Sequence, residues 1–262
     1  MISAEEIQHF TTAGVATIDT PLTAAQIAAA SAAFDALLPP PDTGQPPRFR
    51  VGQTCSYFDQ PLLDLIQEPF FEEVARQTLN AERVEFFQTA IVTTYPQPGA
   101  AFSFDQHVDI QYCLSDLRAT PRRMVCSFFL WLTEVNEQRA PMMFRPGSQW
   151  LIAAERELDE TLRSQPPRVA GVSLAQLPPL AYAEPMPLLA RAGQVSVLTT
   201  SAVHGASINI ESAPRKVMVI TFTAAGVQIE LPESQAVLKR QYDGELRQRL
   251  RPERAHIVPT VQ

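Results

Sequence analysis

Apolar positions follow two rhythms along the 262-residue chain, and the change between them divides it. Up to about residue 82 they recur at helical spacing. Ile7 and Phe10 share one face, and Ser3 with Glu6 three residues on forms a capping box before them. Residues 14–18 read as a first strand. Thr23 opens an alanine-rich helix to about Leu38, with Ile27, Ala30, Phe34 and Leu37 on one side, and Pro39, Pro40 and Pro41 end it. Residues 42–60 read as a loop or irregular strand. Residues 62–79 read as a second amphipathic helix, with Leu65, Ile66, Phe70, Val74 and Leu79 apolar.

From residue 84 the pattern becomes extended. Residues 84–95 are rich in β-branched and aromatic residues, and residues 96–99 break them. Residues 123–133 are almost continuously apolar, as expected of a strand buried on both faces. Residues 140–145 form another short strand, closed by Pro146-Gly147-Ser148, and Ser148 is placed to cap a helix to about residue 162. Residues 164–190 show no period. Residues 194–198 and 215–223 read as strands. A charged helix follows over 233–250, with Val237, Leu238, Tyr242, Leu246 and Leu250 at helical spacing, and then a tail. Strands in the middle with helices on either side predict a mainly β fold with flanking helices, a sandwich or barrel. The expected layout over 1–262 is a single domain: helical support in 1–82, a β core in 83–226 with a lid-like insertion over 150–190, and a terminal helix and tail in 227–262.

Charge narrows the partners. The net charge is -7 and no basic stripe exists to neutralise phosphates, which excludes nucleic acid. No apolar run reaches the length that spans a bilayer, and the N-terminus lacks a signal pattern, so a cytoplasmic protein is expected. Cys55, Cys113 and Cys126 have no metal-type spacing and read as reduced, mostly buried thiols. The terminal helix can pack on its own core or on a second copy, giving a monomer or a homodimer.

The chemistry centres on His107-Val108-Asp109. Residues i and i+2 of a strand face the same side, so an imidazole and a carboxylate there can reach one metal ion. An isolated H-x-D is common by chance, and a third ligand must come from elsewhere. Of the four histidines, His9 lies in the N-terminal amphipathic stretch and His256 in the polar tail. His204 follows an apolar strand. By elimination His107, Asp109 and His204 form the candidate triad. Two histidines and one carboxylate on one face leave positions open, the arrangement of non-haem Fe(II) oxygenases.

Several segments resemble the phytanoyl-CoA dioxygenase family of Fe(II)- and 2-oxoglutarate-dependent oxygenases, from Ile7 to about Gly226. Ile7, Phe10, Gly14 and Val15, followed by residues 22–27, resemble its N-terminal opening. His107-Val108-Asp109 resembles its H-x-D. Residues 129–133 and 140–149 resemble a strand pair ending in a Pro-Gly-Ser-His turn, in which Gln149 stands for the histidine. Residues 192–195 resemble the entry to the distal histidine strand. Residues 204–209, then Ser212 and Arg215, resemble the closing motif.

The resemblance implies a double-stranded β-helix, a jelly-roll, cupin-like core. It implies Fe(II), 2-oxoglutarate and O2, which together oxidise an unactivated C–H bond and release succinate and CO2. Asp109 stands where related halogenases carry Ala or Gly, which argues for oxygen transfer or oxidation without halogen. The far carboxylate of 2-oxoglutarate needs a cation. Arg215, a strand-borne planar fork shortly after His204, is the candidate. Arg145 and Arg123 are weaker ones. Lys216 should face the opposite way, and Thr94 and Phe104 are candidate contacts of the cosubstrate. Met142, Met143, Phe144, Trp131, Phe128 and Phe104 are apolar candidates for the substrate pocket. Gln53, Tyr57, Gln111 and Arg118 are polar ones. No basic cluster suits CoA phosphates, which favours a small metabolite, from specialised metabolism. Hydroxylation is the expected outcome. Desaturation, cyclisation or epimerisation by the same chemistry is the alternative, and a cupin-like metal isomerase or a non-catalytic binding barrel is a further one.

Overall fold

Ser3 and Glu6 cap the first helix as their spacing predicts. In the computed structural model, which describes residues 2–39 and 47–260, α1 (Ala4–Ala13) begins with Ser3 Oγ accepting from the Glu6 N–H at 3.2 Å. The Glu6 carboxylate accepts from the Ser3 N–H at 2.6 Å. Gly14, at φ +91°, supplies the left-handed turn into β1 (Val15–Ile18). Thr23 and Gln26 form a second capping box for α2 (Ala24–Leu37), whose last inward residue is Leu38 rather than Leu37. Pro40 and Pro41 lie outside the described residues. Of the stretch expected to be irregular, residues 49–51 form a short edge strand, β2 (Phe49–Val51).

The single helix expected over 62–79 is two, α3 (Gln60–Ile66) and α4 (Pro69–Leu79). Pro69 has no N–H to continue the first helix and suits the first position of the second. The chain continues through β3 (Val84–Thr94), β4 (His107–Ile110), α5 (Leu114–Arg118), β5 (Val125–Trp131), β6 (Met142–Phe144), α6 (Ser148–Glu157) and α7 (Glu160–Ser164). β7 (Val169–Ser173), β8 (Met186–Leu188), β9 (Val195–Leu198), β10 (His204–Ala206), β11 (Arg215–Ala224) and α8 (Glu233–Arg249) follow.

Three expectations change here. Ser148 does not cap α6; Gly147 takes the cap position at φ +74°. The Ser148 hydroxyl instead donates to the Arg145 carbonyl and accepts from the Val203 N–H, tying the end of β6 to the start of β10. The aperiodic stretch 164–190 supplies β7 and β8, which are too short and too exposed to carry a period. The tail is a 3-10 turn, Pro252–Ile257, with Ile257 and Val258 buried.

The strands form two antiparallel sheets that make a jelly-roll-like core. The major sheet runs β1-β9-β5-β11-β3-β2, and the minor sheet runs β7-β4-β10-β6-β8. The outer face of the major sheet packs under the helices through Phe128, Leu130, Met218, Ile220 and Phe222 against Phe10, Phe34, Phe71 and Tyr242. The Phe71 and Phe128 rings meet edge to face at 5.2 Å. Lys216 points the same way, as expected, and reaches Asp35 at 2.7 Å. The β3–β11 register slips between Thr221 and Phe222: Thr221 faces Gln88, and Phe222 faces Phe86. Phe87 is the extra residue of this bulge, and both Phe87 and Gln88 reach the inner side.

The C-terminal turn is latched to α4. Arg254 Nη1 lies 2.6 Å and His256 Nε2 3.0 Å from the Glu72 carboxylate. Burial pushes that carboxyl up, but hydrogen bonds from His256 and Arg254 outweigh it and hold it below 4.5, its ordinary value. A depressed folded value stabilises the fold above the unfolded one and is lost as pH falls through the folded one. Glu72→Gln is therefore expected to cost about 1.5–3 kcal/mol at pH 7 and progressively less below pH 4.5. Urea melts of both proteins from pH 7 downward check this; a difference that stays constant would exclude the ionised carboxylate as its source.

Candidate metal centre

β4 and β10 are neighbours in the minor sheet, and their register sets His204 directly across from His107. The two rings stand 4.7 Å apart between centroids. Asp109, two residues along β4, turns its carboxylate to both. Oδ1 lies 3.2 Å from His107 Nε2, and Oδ2 lies 3.6 Å from His204 Nε2. One ligand atom from each residue falls within 4.8 Å of the others.

The backbone fixes this cluster. The Asp109 N–H leaves the β4–β7 ladder and donates to the Thr200 carbonyl at 2.9 Å. His204 Nδ1 donates to the Ala202 carbonyl at 2.8 Å, which leaves the Nε2 lone pair facing Asp109. Gly205 sits where the 105–106 backbone crosses β10; a Cβ there would lie 1.8 Å from the Asp105 carbonyl oxygen. Burial would raise the Asp109 carboxyl, but the His107 hydrogen bond and both imidazoles outweigh it and hold it ionised below its ordinary range. The Asp109 hydrogen bond raises His107, while burial lowers His204. A carboxylate between two imidazole nitrogens is the donor set that suits a borderline divalent metal such as iron.

The cluster opens into a cavity of about 490 Å³ between the sheets. Arg215 lines the same cavity and is 2% exposed. Its guanidinium donates to Thr94 Oγ1 at 2.6 Å and lies 5.4 Å from the Trp131 ring centre. Its Nε has no partner, and no acidic residue pairs with it among the described residues. Burial pushes its pKa down to about 10. A buried, unpaired guanidinium beside an open cavity is a place for an anion.

Several candidates lie elsewhere. Phe104 is absent from the cavity wall; it bridges Ser207 and its ring packs on Phe102. Arg145 donates to Gln106 and Ala183, and Arg123 pairs with Asp116. Gln53, Tyr57, Gln111 and Arg118 are not in the wall. Of the apolar candidates Met142 lines it, and on β5 it is Phe129 rather than Phe128 that does. His9 is exposed, and His256 serves Glu72. Arg48, Gln88, Ser127 and Thr221 line the cavity without having been marked in the sequence. Alternation along β3 and β11 is the signal for Gln88 and Thr221, once the phase of each strand is known; Ser127 lies in the apolar run of β5, whose phase the sequence does not mark.

No curated protein matches the chain. Solved structures share its fold. The non-haem α-ketoglutarate-dependent carbocyclase SnoK from nogalamycin biosynthesis is 18% identical over 91% of each chain, with a TM-score of 0.65. The epimerase SnoN, in complex with Fe3+, α-ketoglutarate and nogalamycin RO, is 15% identical over 90% of this chain and 88% of its own, with a TM-score of 0.61. HygX from Streptomyces hygroscopicus, with nickel, 2-oxoglutarate and hygromycin B bound, is 14% identical over 86% and 88%, with a TM-score of 0.59. Residues 10–217, most of the chain and all of the candidate centre, match the family profile of phytanoyl-CoA dioxygenase (PhyH), and the chain belongs to that family.

Proposed function

We propose that this chain is an Fe(II)- and 2-oxoglutarate-dependent oxygenase, a single catalytic domain that oxidises an unactivated C–H bond of a small metabolite in specialised metabolism. The observation that supports this most is the sharing of one cavity by a His-Asp-His cluster and a buried arginine with no acidic partner. His107, Asp109 and His204 would hold the iron. When bound, iron and 2-oxoglutarate together supply O2 activation, with decarboxylation to succinate and CO2, and the oxidising power for the C–H bond.

The protein's own residues bind and orient. The His204–Ala202 hydrogen bond aims Nε2 at the metal position. Arg215, oriented by its hydrogen bond to Thr94, would hold the far carboxylate of the cosubstrate with its planar guanidinium fork. Val92, Val217 and Val219 line the space between and keep water from it. Asp109 would supply a carboxylate ligand where related halogenases carry Ala or Gly, which supports oxidation without halogen. Similarity to a carbocyclase and an epimerase supports a second outcome, in which a hydrogen is removed and no oxygen is added. Product mass separates the two. Three free, buried cysteines fit the reducing cytoplasm, and no helix of the described residues is long and apolar enough to cross a membrane.

Anaerobic Fe(II) with 2-oxoglutarate is expected to give a visible charge-transfer band. Asp109→Ala or His204→Ala should remove it and weaken Fe(II) binding by more than about 100-fold, the upper end seen even for outer-shell changes. A normal band in both variants would exclude the triad.

A further inference from the structure

The floor of the cavity is the inner face of the major sheet, and its registers sort the floor into rows. Arg215 lies across from Thr94. Val217 lies between Val92 and Trp131, and Val219 between Ala90 and Phe129. Thr221 lies between Gln88 and Ser127. The rows therefore run cationic, apolar, apolar and polar. The Phe129 ring centre is 6.5 Å from that of His204, which sets the triad over the third row. An antiparallel strand advances about 3.4 Å per residue. The Arg215 row thus lies roughly 14 Å to one side of the third row, and the polar row roughly 7 Å to the other.

The polar row is uncharged, with two buried hydroxyls and a half-buried amide. Ser127 and Thr221 are each 2% exposed, and their hydroxyls are 3.5 Å apart, the limit of a hydrogen bond. Among the described residues nothing hydrogen-bonds the Gln88 side chain. Each of these groups can both donate and accept. The bulge at Phe87 keeps Gln88 across from Thr221, on the cavity side. The other charges of the wall are spoken for: Arg48 pairs with Asp105 at 2.8 Å, and Asp109 with the histidines.

The geometry points to Gln88, Ser127 and Thr221 as a substrate-recognition site. It binds a hydroxyl or carbonyl oxygen of an uncharged, mainly hydrocarbon substrate and so sets the reacting carbon beneath His204. This rests on the triad as metal ligands, which decides which end of the floor belongs to the substrate. A charged group at this end would be buried without a counter-charge, so amino sugars and carboxylic acids are disfavoured. Specificity comes from the polar row, because a ligand lacking the oxygen leaves the Gln88 amide without a protein partner and the two hydroxyls with only their long mutual contact.

The test uses 2-naphthol and 2-methylnaphthalene, matched in shape, with 2-(aminomethyl)naphthalene as the cation. Ligand-observed NMR on metal-free protein and on protein loaded with Zn(II) and 2-oxoglutarate gives their affinities. The naphthol is expected to bind about tenfold more tightly than the hydrocarbon in both forms, and the cation more weakly than either. Gln88→Leu with Thr221→Val should bring the ratio close to one, and Ser127→Ala alone should lower it by a smaller factor. Thermal melts verify that each variant folds, and Ser127→Ala carries the test if the double variant does not. A ratio near one in the native protein, a preference kept in the folded variants, preference for the cation, or no naphthol binding at its solubility limit would each overturn the site. The anaerobic Fe(II)–2-oxoglutarate band separates this result from the metal reading: a lost band with the preference intact refutes the triad, and an intact band without the preference refutes the polar row.

Discussion

Arg215→Met is expected to abolish 2-oxoglutarate binding and, at the same time, to raise the melting temperature of the ligand-free protein. The two effects have one cause. Arg215 is buried against Thr94 and Trp131 with no carboxylate beside it. Burial lowers its pKa to about 10, from an ordinary 12.5. A base whose folded value is depressed binds fewer protons folded than unfolded, so its charge opposes folding at neutral pH. Methionine fills similar space without that charge, and replacing buried ionic groups by apolar ones of like volume is often stabilising. The loss of cosubstrate affinity should be large, about 2–5 kcal/mol or some 30- to 5,000-fold, as for truncation of one partner of a buried charge pair. Arg215→Lys should recover little, because a point charge does not reproduce the planar fork. Titration of the Fe(II) protein with 2-oxoglutarate and thermal melts with and without it check both halves. A variant that melts lower and still binds would sink the role given to the arginine.

Gly205→Ala is expected to unseat His204 and to remove metal binding along with much of the stability. The added methyl would stand 1.8 Å from the Asp105 carbonyl oxygen and 3.2 Å from Gln106 Cα, all backbone atoms. Neither strand can yield without moving a ligand, since Gly205 adjoins His204 and the crossing segment leads into His107. Overpacking of this kind costs about 3 kcal/mol or more. Gly171→Ala, where nothing lies within 4 Å of the new carbon, serves as the control and should be close to neutral. Metal titration and melting temperature read the two variants; a Gly205→Ala protein that binds metal like the control would show that the crossing can relax.

How much of this could be seen in the chain alone depended on whether the decisive interaction was local. The capping boxes at Ser3 and Thr23, the long strands β3, β5 and β11, and the spacing of His107 and Asp109 are local, and each was legible. So was His204, by elimination among four histidines. The phase of β5 was not. In a run as apolar as residues 125–131 nothing marks which alternate set faces the core, and it is Phe129, not Phe128, that lines the cavity. β7 and β8 exist because β4 and β6 offer them partners, which no pattern inside five and three residues reveals. The bulge at Phe87 belongs to the pairing of β3 with β11 and has no sequence signature of its own. Thr54 and Gln235 reach the cavity from segments far apart in the chain.

The His-Asp-His cluster stands on the minor sheet and Arg215 on the major one. A keto diacid held at both ends would act as a strut between the two layers, beside the backbone tie from Asp109 to Thr200. Its length is then gauged like a caliper. A diacid one carbon shorter or longer is expected to bind more weakly, which competition against 2-oxoglutarate in the Fe(II) protein would measure.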